Sequence, residues 1–292
     1  MIMRFGKKCG SEELYSFGKM AAANSSYRQE YFFGMIYRVY KDCLIPETTE
    51  AEKVKGKTSV WFEGGKIAIF RECEDTSKGL YLAVKGGTNH ESHNHKDVGC
   101  FVIYKNGKPV IIDPSHGSYD NGFFGPSRYL RWYMQAGYHN VPIVDGVEQC
   151  AGNEYFASSE ERYDLAAKTV SYELKEAFPA EAGILSMRRE CKMEDGAVTV
   201  KDSVRLESEK EICFNYLTLD EPKILSAGRL EISNGAIFEY NPEGLELVIE
   251  KVENTKLPYE DLNFKSVWDR ECLFRIVLKA TASEKTVSVT FR

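Results

Sequence analysis

Cys100-Phe101-Val102-Ile103-Tyr104-Lys105-Asn106-Gly107-Lys108-Pro109-Val110-Ile111-Ile112-Asp113 decides the fold class. Two β-rich runs flank a polar tetrad that contains Asn-Gly. Asn and Gly both tolerate positive φ, and the pair between two such runs is the strongest short-range hairpin signal. A strand from Cys100 to Tyr104 that returns as Val110 to Asp113 is therefore expected.

Working outward, similar short runs recur on both sides. Upstream lie Ile67 to Phe70 and Leu80 to Val84. Downstream lie Val170 to Lys175, Ile184 to Cys191, Val198 to Leu206, Ile212 to Leu219, Ala236 to Tyr240, Leu245 to Val252, Leu273 to Leu278 and Thr286 to Phe291. Several alternate apolar with polar residues, as half-buried antiparallel strands do. So many short strands without intervening helices imply a mainly β protein, a large antiparallel β-sandwich of two stacked sheets. The first fifty residues read differently. Glu12 to Asn24 and Tyr27 to Cys43 carry helical spacing, with Phe32, Met35, Ile36, Val39 and Tyr40 at three- and four-residue intervals. The expected organisation is a short N-terminal helical segment, 1–50, a polar linker, and a sandwich domain, 58–292. Between Tyr119 and Tyr138 the pattern loosens into an aromatic-rich structured loop, the kind of segment that carries sites on a rigid scaffold.

Composition excludes some classes. With 43% hydrophobic and 28% charged residues the chain reads as globular, and a net charge of −6 argues against a nucleic-acid partner. No apolar run approaches a membrane span, so no membrane partner is expected. The eight cysteines are spread along the chain without a CxxC pair, which suggests free thiols rather than a disulfide scaffold or zinc ribbon. The opening Met1 to Cys9 lacks an apolar signal core, so a cytoplasmic location is expected of the chain as written.

The chemistry concentrates in one stretch. All five histidines fall there: His90, His93, His95, His116 and His139. On an extended segment His93 and His95 would point to the same face, with Asp113 returning close by and His139 arriving after the aromatic loop. Two histidines and a carboxylate, with a position left for water or substrate, form a familiar zinc ligand set. Spacing alone does not say which histidines would bind.

The run from Gly86 to Gly99, Gly-Gly-x-Asn-x-Glu-x-His-Asn-His-x-Asp-x-Gly, is followed by Tyr104-Lys105-Asn106-Gly107, Asp113-Pro114, Arg128-Tyr129, His139-Asn140 and Val144-Asp145-Gly146. Together these resemble the C-terminal β-sandwich of the heparinase II/III-like polysaccharide lyases, a family that includes alginate and oligoalginate lyases. The resemblance is dense from Lys85 to Gln149 and diffuse from Ser59 onward. It implies β-elimination on uronic-acid polysaccharides: a base removes the proton at C5, the adjacent carboxylate is neutralised, and an acid protonates the leaving oxygen. It further implies that His93 belongs to the catalytic group, neutralising the carboxylate or acting as base, while His95, Asp113 and His139 hold a divalent metal, zinc first. Tyr129 and Tyr119 are the candidate proton donors, and the sequence does not choose between them. Arg128 could pair with a substrate carboxylate. Asn89 and Glu91 could contact sugar hydroxyls or shape the Gly86-Gly87 turn. His90 and His116 match no family role.

The resemblance also implies an α/α-toroid domain before the sandwich, supplying a further asparagine, tyrosine and histidine. The first fifty residues then read as a remnant or cap of such a toroid, and a separate toroid-domain chain is a possible partner beside the acidic polysaccharide or oligosaccharide. Family members are often periplasmic or secreted. The alternatives are a non-catalytic, metal-stabilised carbohydrate-binding module or an inactive lyase fragment, and a purely structural interaction protein with a satisfied polar cluster.

Overall fold

Asn106 and Gly107 adopt φ of 52° and 74°, so the Asn-Gly pair forms the tight turn its sequence demands. It joins two strands paired from Ile103–Ile111 to Lys105–Lys108. The computed structural model in which this is seen describes residues 2–24, 55–115, 123–125, 127–157, 162–253 and 264–292. The chain divides into two compact units. One comprises residues 1–56 with 74–76, and the other holds the rest.

In the first unit, α1 (Ile2–Cys9) and α2 (Glu12–Asn24) form a helical pair. Ser11 caps α2, its Oγ accepting from Leu14 N at 3.2 Å. The helix expected over Glu12 to Asn24 is present, and the first helix was not anticipated. The helix expected over Tyr27 to Cys43 lies outside the described residues.

The second unit is the sandwich. Its strands run β1 (Ser59–Phe62), β2 (Ile67–Arg71), β3 (Leu80–Lys85), β4 (Thr88–Asn89), β5 (Phe101–Lys105), β6 (Lys108–Ile111), β7 (Pro142–Val144), β8 (Gly152–Phe156) and β9 (Arg162–Asp164). They continue as β10 (Thr169–Glu173), β11 (Ile184–Glu194), β12 (Ala197–Thr218), β13 (Lys223–Ser226), β14 (Arg229–Ile232), β15 (Ala236–Tyr240), β16 (Glu246–Glu253) and β17 (Cys272–Phe291). A five-stranded sheet has the order β1-β2-β3-β5-β6, and a ten-stranded sheet is built on β13-β14-β15-β17-β12-β11-β10-β9. In the larger sheet β16 also pairs with β17 and β7 with β12, while β4 and β8 form a small ribbon. Every named pairing is antiparallel. Alternation puts Phe70, Leu82 and Ile103 of one sheet and Val198, Val200, Ile276 and Leu278 of the other into a single core.

Two pairs of expected strands prove to be continuous. Val198 to Leu206 and Ile212 to Leu219 are both part of β12, and Leu273 to Leu278 and Thr286 to Phe291 are both part of β17. The polar stretch Glu207-Ser208-Glu209 suggests a turn, but it is exposed strand at a register slip between Arg205 and Lys210. A bulge absorbs the break in alternation without ending the pairing.

This topology positions the site. The C-terminal end of β3, the N-terminal end of β5 and the C-terminal end of β6 meet at one end of the smaller sheet. The loop before β7 arrives beside them, delivered by the pairing of β7 with β12.

Candidate active site

Gly86 and Gly87 leave β3 under tight constraint. A Cβ on Gly86 would sit 2.4 Å from the Tyr172 ring, and Gly87 has a φ of +73°. The chain then crosses into a loop that carries Glu91, His93 and His95. Its backbone is tied down by Asn94 N bonding to Glu91 O at 3.2 Å and Lys96 N to Met134 O at 3.1 Å. Val98 donates to Gln149 Oε1 and accepts from Gln149 Nε2, at 3.0 and 2.8 Å.

His93 adopts a φ of +62°, an uncommon conformation for a residue with a Cβ. The loop is therefore not extended, and the expectation that His93 and His95 share a face is corrected. His93 is exposed and its ring meets Phe124 edge-on at 4.9 Å. His95 turns the other way, its ring 5.2 Å from that of His139.

His95, Asp113 and His139 come together, with one donor atom from each lying within 4.8 Å of the others. Asp113 leaves β6 and offers Oδ2 to His139 Nδ1 at 2.8 Å, while Oδ1 accepts from Ser115 N at 3.0 Å. The Cys100 thiol stands 3.7 Å from Asp113 Oδ2. Burial works against both charges of the His139–Asp113 pair, but mutual attraction wins. The His139 imidazole is held well above its usual range and the Asp113 carboxyl below its own. His95 is driven the opposite way, to about 4, by burial and then by the charge of His139, so its imidazole is neutral at neutral pH. His139 Nε2 is buried and has no hydrogen-bond partner. Two imidazoles and a carboxylate with an orphaned ring nitrogen suit a divalent cation of the zinc type.

Below the cluster lies a buried polar hub. Asn140 donates to Phe101 O and Ile112 O, both at 2.8 Å, and accepts from Leu217 N at 2.7 Å. Arg189 grips Asp202 through two 2.7 Å bonds, and its Nη1 donates to Gly99 O at 2.7 Å and to Asn140 O. One guanidinium thus pins the residue after His139 and the residue before Cys100.

On the other side of the loop an open cleft of about 590 Å³ is lined by Asn89, Glu91, His93, Phe124, Arg128 and Tyr129, with His90 and Gly152 at its border. Tyr129 OH donates to Asn94 Oδ1 at 3.0 Å, and Arg128 Nη2 donates to Asn94 O. Asn94 therefore fixes both side chains, a role the sequence reading missed. Asn89 borders the cleft but is only 1% exposed, and its amide donates to Gln149 at 3.0 Å. Glu91 lies 3.6 Å from Lys85 Nζ, which is bound more closely by Asp97 at 2.6 Å. A second cavity of about 310 Å³ takes in Lys85, Asp97, Asp113 and His95. Glu91 to Asn94 line both spaces, so the loop is a partition between them. Trp132 and Tyr133 are fully buried and offer no face for sugar stacking. Tyr119 and His116 lie outside the described residues.

Residues 54–251 match the family of heparinase II/III-like C-terminal domains, and the chain belongs to that family. Among solved structures it is similar to a heparan sulfate lyase mutant from Pedobacter heparinus, with a TM-score of 0.62 at 14% identity, covering 96% of this chain and 41% of that one. A heparinase III matches with a TM-score of 0.60 at 16% identity over 83% of this chain and 36% of the other. Another heparinase III matches with a TM-score of 0.59 at 13% identity, over 84% and 38%. The chain spans about two-fifths of the length of these structures. No curated protein matches its sequence. Among the described residues no helix is long and apolar enough to cross a membrane.

Proposed function

We propose that this chain forms the sandwich half of a polysaccharide lyase that cleaves uronic-acid polymers by β-elimination. The observation that carries the proposal is the partition: an open cleft with His93, Arg128 and Tyr129 on one side, and the His95–Asp113–His139 cluster on the other. Arg128 would receive the sugar carboxylate, as a guanidinium held by Asn94 is suited to do. His93 takes the C5 proton, the C5–H electrons form the C4–C5 double bond, and the C4–O bond breaks. Tyr129 gives its phenolic proton to the departing oxygen. Tyr119, the other candidate for that step, lies outside the described residues. A divalent cation, zinc by the donor set, would be held by His95, Asp113 and His139 and would supply a fixed positive centre bracing the loop from behind. An α/α-toroid wall, on the same polypeptide or on a partner chain, would supply the remaining groups.

The test is ultraviolet detection of unsaturated uronate ends after incubation with heparan, hyaluronan, alginate and glucuronan fragments, with His93→Ala as control. Product that disappears in the variant supports the reading. Saturable binding that yields no product even when a toroid-domain chain is supplied contradicts it in favour of a carbohydrate-binding module.

A further inference from the structure

His95 and His139 reach their cluster on two separate segments, and one carboxylate spans the two. Glu148 Oε1 accepts from Gly137 N at 2.9 Å, and its Oε2 lies 3.5 Å from Lys96 Nζ. Gly137 stands two residues before His139, and Lys96 directly follows His95. We propose that Glu148 is a positioning residue for the metal site, setting the separation of the two imidazoles without touching the ion. The proposal rests on the reading of His95, Asp113 and His139 as cation ligands.

The His139 side of this strap is closely held. Ala136–Tyr138 form a 3₁₀ turn, and His139 N closes it on Ala136 O at 3.0 Å. Gly137 is gripped on both of its polar groups. Its N–H goes to Glu148 and its carbonyl accepts from Arg275 Nη1. Arg275 is itself bound to Glu250 at 2.8 Å and lies 4.8 Å from the Tyr138 ring. A Cβ on Gly137 would come 3.2 Å from Glu148 Oε1, so the carboxylate sits about as close to this backbone as a glycine permits.

The His95 side is tied from the same place. Gln149, next to Glu148, bonds to both backbone groups of Val98, while the backbone N–H of Lys96 goes to Met134 O. Two consecutive side chains thus join residues 96, 98 and 137 in one frame. The Lys96 contact alone would contribute little, because a partly exposed ion pair is weak. The bond to Gly137 N–H is charge-assisted and directional, which suits the holding of a backbone. Groups standing behind metal ligands commonly change affinity by about 10- to 100-fold when they are removed.

The test uses the full chain, zinc competition against a chromophoric chelator, and cobalt absorption as a report of ligand geometry. Glu148→Ala should weaken zinc binding by about 10- to 100-fold and shift the cobalt bands, with thermal unfolding of the metal-free protein little changed. Glu148→Gln keeps an acceptor for Gly137 N–H and should recover most of the loss. Lys96→Met leaves the Gly137 bond in place and should lose less than Glu148→Ala. Wild-type zinc affinity and cobalt spectrum in Glu148→Ala overturn the proposal. A loss of affinity matched by an equal loss of metal-free stability also overturns it, since Glu148 would then support the fold at large. Where Glu148→Ala does not fold, Lys96→Met decides: weaker zinc binding by folded protein upholds the strap, and wild-type affinity overturns it. Wild-type protein that binds no zinc overturns the reading of the cluster as a metal site, and this proposal with it.

Discussion

Behind the loop from Glu91 to His95, His95, Asp113 and His139 sit on a buried network anchored by Arg189 of β11 and Asp202 of β12. In front of it, His93, Arg128 and Tyr129 face an open cleft, and Arg128 and Tyr129 are fixed through one residue, Asn94. The two regions share the loop from Glu91 to Asn94, yet one rests on a buried network and the other lies open. The difference suggests a division of labour in which the back holds geometry and the front meets substrate. It also means that substitutions on the two sides should fail in different ways.

The largest effect should come from the front. His93→Ala is expected to lower turnover by about 10²- to 10⁴-fold while leaving stability and metal content unchanged, because it removes a proton-transfer group from an exposed position. Steady-state kinetics beside thermal unfolding would check this, and a loss of folding would collapse the distinction between the two sides.

Next comes the hub below the cluster. Arg189→Met leaves Asp202 buried without its partner and frees Gly99 O and Asn140 O, and should cost about 3–5 kcal/mol of stability. Urea unfolding measures it. A variant as stable as the parent would mean that the buried pair does not support the back of the site.

The third prediction concerns pH in the metal-free protein. The unfolded chain takes up a proton on His95 near 6.5, whereas the folded state resists until about 4. Stability contributed by the neutral His95 is therefore present above 6.5 and lost as pH falls toward 4. His95→Gln should flatten that slope in chelator-treated protein. His139 has the opposite sign: its contribution, raised by Asp113 against the effect of burial, is complete below the ordinary histidine range and is lost as pH rises through its elevated value. An unchanged slope in His95→Gln would show that this imidazole is not held neutral by burial.

The smallest effect sharpens the front. Asn94→Ala removes the acceptor of the Tyr129 hydroxyl and should cost about 1 kcal/mol of stability. Its backbone carbonyl still receives Arg128, so carboxylate binding should survive and KM should move less than kcat. A change confined to KM would instead assign Asn94 to the ligand rather than to Tyr129.

Much of this arrangement was legible in the sequence, for physical reasons. Asn106-Gly107 tolerates the positive φ that a tight hairpin turn requires, so the hairpin followed, and Asp113 at its end returns near the loop. The His95, Asp113 and His139 grouping followed from donor chemistry together with the family resemblance. Less accessible was the left-handed turn at His93, because a positive φ at a non-glycine residue leaves no compositional mark. It separates the two histidines that an extended reading places on one face. The hub was missed although a signal existed: Met187, Arg189 and Cys191 alternate on the buried face of β11, so a charged residue stood in a core position. Asn94 was missed because its work is done by tertiary contacts to a segment 34 and 35 residues away.

The division of the HxH pair is tested most directly by metal content. Wild-type protein, His95→Ala and His93→Ala would be purified identically, equilibrated with zinc, desalted and assayed for bound metal by elemental analysis. The account predicts that wild type and His93→Ala retain the ion alike and that His95→Ala loses it. Full occupancy in His95→Ala, or loss of metal from His93→Ala, would contradict it.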